Sequence, residues 1–113
     1  MNIIRDKITF DELKKMSEKN NYNLVKAVVD IENNIMAIDF DMHSKGQELL
    51  MQKGSLLENL WGVNLYPYKA AEEWIEYYSK INVKPLLGNL SCWVEDRQIQ
   101  DKIKRIVNVL VVR

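Results

Sequence analysis

The chain carries one histidine and one cysteine, so any site built on an imidazole or a thiol has no choice of residue. His43 follows Asp39 and Asp41, just after a run of β-favouring residues. An Asp-x-His spacing can orient an imidazole for acid–base work, or supply two ligands of a metal site that Asp30 or Glu32 would complete. His43 and Asp41 are therefore the candidate catalytic residues, with Asp30 the third group if a metal is held. The competing reading is a solvent-facing loop histidine beside acids that cap the next helix. A single histidine is thin support for a metal, and no cofactor is expected.

Cys92 could act as a nucleophile only with a base or cation beside it to favour the thiolate. None adjoins it in sequence, and a free cysteine then behaves as a small buried hydrophobe. A single cysteine also excludes an internal disulfide, which fits a reducing, cytoplasmic setting. There is no glycine-rich phosphate loop, nucleophile elbow, cysteine pair or histidine pair at metal spacing.

A second polar group comprises Asn64, Tyr66, Asn82, Lys84 and Asn89. Asparagine is disfavoured in strands, so Asn64 and Asn82 at the ends of two β-like runs need a reason. They form either a polar floor that binds an anion, peptide or nucleotide, or a solvated face whose amides bond to loop backbone. Among the tryptophans, Trp61 sits in an apolar alternation and reads as core. Trp74 shares a face with charged residues and, with Tyr78, is the candidate for an interface, including one with a second copy of the chain.

The elements that must position these groups follow from local pattern. Met1 to Ile4 reads as a short edge strand. Thr9-Phe10-Asp11-Glu12 is a capping box that opens a helix carrying Phe10, Leu13 and Met16 on one side. Leu24 to Glu32 and Ile35 to Phe40 read as a hairpin turned by Asn33-Asn34, with only one face of the second strand fully buried. Ser44 is placed to cap a helix to Lys53, and Gly54 to end it. Leu60 to Tyr66 alternates as a strand, and Trp74 to Lys84 alternates over a longer span between Pro67 and Pro85. Asp96 caps a last helix whose Ile99, Ile103, Ile106, Val107 and Leu110 make one apolar stripe. Strands in hairpin order with helices between and after them predict a single α+β domain over residues 1–113. Its core would be a four- to five-stranded, mainly antiparallel sheet with about three helices packed against it.

Composition narrows the function classes. Of the 113 residues, 47% are hydrophobic and 28% charged, the balance of a chain that buries a core. Sixteen basic residues offset sixteen acidic ones, so no global field draws the protein to nucleic acid or anionic lipid. The N-terminal residues lack the pattern of a secretory signal, and no apolar run approaches the ~20 residues of a membrane helix.

Lys26-Ala27-Val28-Val29-Asp30-Ile31-Glu32, Leu60-Trp61-Gly62-Val63-Asn64-Leu65-Tyr66-Pro67, Ile81-Asn82-Val83-Lys84-Pro85, Gly88-Asn89 and Val94-Glu95-Asp96 run in this order through most of the chain. Together they resemble an uncharacterised prokaryotic family of about this length, one of the domains of unknown function. The resemblance implies no activity. In that family a Glu-x-His-Ala-Asp segment follows the hairpin; it matches Asp41-Met42-His43-Ser44-Lys45 here, without the second acid. The family's Asn-x-Arg-Pro and Gly-Asn-Arg-Ser segments match with Lys84 and Leu90 in the arginine positions. A clamp of paired guanidinium groups is therefore not expected in this member.

The expectation is a small binding or protein-interaction module with a polar site at one end of the sheet, whose partner is a small molecule or a protein. The alternative is a small hydrolase or metal-dependent enzyme using His43 with neighbouring carboxylates.

Overall fold

The computed structural model describes residues 1–113. Its strands are β1 (Asn2–Ile4), β2 (Ile8–Thr9), β3 (Val25–Asp30), β4 (Ile35–Ile38), β5 (Leu60–Leu65), β6 (Ile75–Glu76) and β7 (Val111–Val112). Its helices are α1 (Phe10–Ser17), α2 (His43–Gln52) and α3 (Arg97–Leu110), with single 3-10 turns at Leu57–Asn59, Lys80–Asn82 and Pro85–Leu87. The main sheet runs β1-β4-β3-β5-β6 with every neighbouring pair antiparallel, and β2 and β7 make a separate parallel pair. The fold is α+β, as the pattern of elements predicts.

The valine-rich β3 lies at the centre, because its side chains are apolar on both faces apart from Lys26 and the terminal Asp30. Ala27 and Val29 join Met36, Ile38, Trp61, Val63 and Leu65 in the larger core, which Leu13 of α1 and the stripe of α3 cover. Val28 joins Ile35, Ala37 and Leu60 on the opposite face, where Leu50 of α2 seals a smaller core. Both faces of β4 are thus buried, and the expectation of one fully buried face is corrected. Two small residues, Ala37 and Gly62, let α2 approach that second face.

The caps follow the sequence at two of three helices. Glu12 N–H donates to Thr9 Oγ1 at 3.1 Å while Glu12 reaches back to Thr9 N–H, and Gln98 N–H donates to Asp96 at 2.8 Å. At α2 the capping position falls on Met42, which offers no side-chain acceptor, so Ser44 lies inside the helix and is not its cap. Gly54 does follow the end of α2, at φ 104°.

Two strand expectations need correction. The hairpin loop is four residues long, Ile31–Asn34, between the paired Asp30 and Ile35. Asp30 builds this loop: its carboxylate accepts from Glu32 N–H, Asn33 N–H and Asn33 Nδ2. The long alternating run from Trp74 is strand only at Ile75–Glu76. Beyond it the backbone leaves β5 and bonds to the 92–94 segment, with Ser79 N–H donating to Cys92 O and Val94 N–H to Tyr77 O, both at 3.0 Å. The alternation records real burial, but against loops and helix in place of a neighbouring strand. Trp74 is accordingly core, 2% exposed, with Phe10 edge-on to it at 5.9 Å, and it is not an interface residue. No helix is long and apolar enough to cross a membrane.

Candidate functional site

The first residue of α2 is His43, and its imidazole lies over β5 because Gly62 has no side chain. A Cβ at Gly62 would stand 2.5 Å from Ser79 Cβ and 3.1 Å from His43 Cδ2. The ring is 2.8 Å from Val63 O through Nε2. A carbonyl can only accept, so Nε2 carries the hydrogen and donates. In the neutral ring Nδ1 then holds the lone pair, and no protein group bonds to it. Burial lowers the His43 pKa; the Val63 bond opposes that shift, and repulsion from Lys26 adds to it. Near neutral pH the ring is an oriented, uncharged acceptor, which contradicts a solvent-facing loop histidine.

Asn64 lies two residues along β5 from Gly62 and pairs in register with Lys26 of β3. Its Nδ2 donates to Glu76 Oε1 at 2.9 Å and to Tyr78 O at 3.2 Å, leaving Oδ1 without a protein partner. Lys26, Asp41, His43, Ser44, Asn64, Tyr78, Ser79 and Lys80 line one open cleft of about 540 Å³, together with Leu24, Met42 and Ile81. This volume falls within the range of small-ligand pockets. The molecule's ion pairs are Asp41–Lys45 and Arg97–Asp101, so Lys26 and Lys80 form no ion pair, although Asp41 lines the same cleft and Glu76 bonds to the neighbouring Asn64.

The structure thus brings His43, Asp41, Asn64 and Tyr78 to one rim. Asp41 stands at the exposed edge, 2.8 Å from Lys45, whose hydrogen bond and charge hold its carboxyl below the usual range. Asp30 is not with them. It lies at the hairpin end of β3, where Ser55 Oγ donates to it at 2.6 Å, and Glu32 lends that turn only its backbone N–H. No three histidine, cysteine or acidic side chains are grouped to hold a metal. The set of His43, Asp41 and Asp30 is not assembled.

The rest of the second polar group divides. Tyr66 donates to Glu76 Oε1 at 3.2 Å, outside the cleft. Asn82 accepts from Gly62 N–H at 2.8 Å and donates to Gly62 O at 3.0 Å and Cys92 O at 3.1 Å. Asn89 donates to Asn82 O and Trp93 O and accepts from Glu95 N–H. Both amides are committed to backbone, leaving no ligand role to them. Lys84 donates to Ile81 O at 3.1 Å, lies 5.2 Å from the Trp61 ring, and borders a different groove. Tyr78 is 41% exposed and packs edge-on against Trp93 at 4.8 Å.

Lys26, Ser79 and Lys80 are the residues of this region that the sequence reading passes over. Lys26 had a signal: it is the one charged side chain inside the run Val25–Val29. Ser79 and Lys80 had none while their segment read as a regular strand.

A sheet closed on both faces by helices, with a polar cleft at the start of one of them, defines an α+β protein with a candidate ligand-binding site. The family model described as Protein of unknown function (DUF5674) matches residues 2–110, and the chain belongs to that family. No curated protein and no solved structure matches it.

Proposed function

We propose that the protein is a binding module for a small organic anion that also carries a hydrogen-bond donor, such as a hydroxyl. The supporting observation is the shared cleft of an anchored His43, with Nδ1 unfilled, and two lysines in no ion pair, while the one acid of the lining, Asp41, is paired with Lys45. Lys26 and Lys80 would meet the negative group, His43 Nδ1 and Asn64 Oδ1 the donor, and Met42, Tyr78 and Ile81 the apolar body. A partly desolvated ammonium gains more from an anion than an exposed one does, so Lys26 is assigned the larger share.

The hydrolytic alternative needs carboxylates beside the imidazole. Asp41 is held by Lys45 at the exposed edge and Asp30 lies in the hairpin turn, so the geometry favours binding over acid–base chemistry. A thermal-shift panel tests the reading, since a ligand of the native state raises the melting temperature by mass action. Glycerol 3-phosphate and small hydroxycarboxylates should stabilise the protein, their neutral parents should not, and Lys26→Ala should abolish the difference. A panel with no anion effect in the wild type would rule the reading out.

A further inference from the structure

Of the three helices, α2 alone begins without a side-chain cap: Thr9 caps α1 and Asp96 caps α3, whereas the capping position of α2 is Met42. No acid stands in its first turn. Lys45 N–H turns back to Met42 O at 3.0 Å, but the N–H groups of His43 and Ser44 have no acceptor in the protein. Free N–H groups at a helix start, with a dipole end equivalent to about half an elementary charge behind them, attract anions.

A second group at the same place also calls for a ligand. His43 is only 9% exposed and is anchored through Nε2 to Val63 O, yet its Nδ1 has no protein partner and is not sealed from solvent. Ser44 lines the cleft with it, its hydroxyl adding a donor to its N–H, and so do Lys26 and Lys80, neither of them in an ion pair. Asp41, the one acid of the lining, is held by Lys45 at 2.8 Å.

These donors distinguish among anions. A carboxylate brings one negative charge and two oxygens. A phosphomonoester at neutral pH brings a charge of about −1.5 to −2 and three strong acceptor oxygens, which match two ammonium groups, a helix start and the two donors of Ser44. Given the anion-binding reading of this cleft, on which the inference rests, we propose that the ligand is a phosphomonoester seated with its phosphoryl group on the uncapped first turn of α2. One phosphoryl oxygen accepts from Ser44 N–H and the others from Lys26 and Lys80. A hydroxyl beside the phosphoryl group donates to His43 Nδ1.

Proton–nitrogen NMR of the labelled protein, titrated with glycerol 3-phosphate and with its carboxylate counterpart glycerate, tests this seat. Glycerol 3-phosphate should bind at least about tenfold more tightly than glycerate and should move the Ser44 amide proton downfield, as a new bond to a phosphoryl oxygen does. Met42 is 55% exposed and already has the extended backbone of a cap, so Met42→Asn supplies the missing acceptor. This variant should melt at a higher temperature and bind glycerol 3-phosphate about tenfold more weakly. Shifts at Lys26 and Lys80 with the Ser44 amide unmoved, or glycerate binding as tightly, would overturn the phosphoryl seat and leave the anion cleft standing. A Met42→Asn protein of raised melting temperature and unchanged affinity would overturn the seat as well. Binding of neither anion would remove the anion cleft and the seat together.

Discussion

The side chain of Asn82 pairs with the backbone of Gly62 as a neighbouring strand would, accepting from its N–H at 2.8 Å and donating to its carbonyl at 3.0 Å. The β6 strand stops at Glu76, so this carboxamide fills the ladder position that the departing chain leaves open. The segment from Tyr77 to Asn82 is thereby free to bend over the sheet and form one wall of the His43 cleft.

Asn82→Ala removes both partners of Gly62 and leaves buried backbone groups unpaired, each costing about 1–3 kcal/mol. Urea unfolding should show a loss of roughly 3 kcal/mol, and Asn82→Asp, which sets a carboxylate oxygen against the carbonyls of Gly62 and Cys92 in a buried site, should lose at least as much. A loss below about 1 kcal/mol in Asn82→Ala would mean that the segment is held by other contacts.

Gly62→Ala brings a Cβ to 2.5 Å from Ser79 Cβ and 3.1 Å from His43 Cδ2. Overpacking of this kind costs about 1–3 kcal/mol, and the strain should be relieved by moving Ser79 and the imidazole. NMR of the ring nitrogens should show the Val63 hydrogen bond of His43 weakened in this variant. An unchanged ring signal with unchanged stability would contradict the packing described.

The His43 pKa lies below its ordinary value of 6.5, chiefly through burial. The unfolded chain then binds the proton more readily than the native one, so stability rises with pH across this window. The contribution is complete above 6.5 and is lost as pH falls through the native value. Urea midpoints measured from neutral to mildly acidic pH should show this slope, and His43→Gln should flatten it. A slope that persists in the variant would assign it to other groups.

Asp30 responds at lower pH. Burial pushes its carboxyl up, but hydrogen bonds from Ser55, Asn33 and Glu32 outweigh this, and the net pKa lies below 3.8. Its stabilisation is therefore present above 3.8 and disappears as pH falls through the native value. Ser55→Ala should destabilise at neutral pH by about 1–3 kcal/mol, with the gap from wild type closing in acid. A gap independent of pH would show that the Ser55 hydroxyl contributes packing only.

Much of the fold was legible because it rests on short-range rules. The capping box at Thr9, the Asp96 cap and the stripe from Ile99 to Leu110 are local patterns that this structure keeps. The segment after Trp74 was not legible for a physical reason: alternation reports which side chains are buried, not what covers them. Here the cover is α3, the N-terminal helix and the 92–94 loop, so a strand-like pattern occurs without a strand. The burial of both faces of β4 was hidden similarly, since Asp39 and Phe40 lie past its last paired residue. Of the candidate site, His43, Asp41, Asn64 and Tyr78 meet at one rim. Asn82 and Asn89 instead bond to loop backbone, the second of the two roles that asparagines in that position could take.

The cleft around His43 is tested most directly by NMR titration of the isotope-labelled protein with glycerol 3-phosphate and, separately, with glycerol. The phosphate should move the backbone signals of Lys26, His43, Ser44, Asn64 and Lys80 and the Nδ1 signal of His43, with Lys26→Ala losing the response and glycerol giving none. Shifts of equal size with glycerol, or shifts confined to residues away from these five, would contradict an anion-binding cleft.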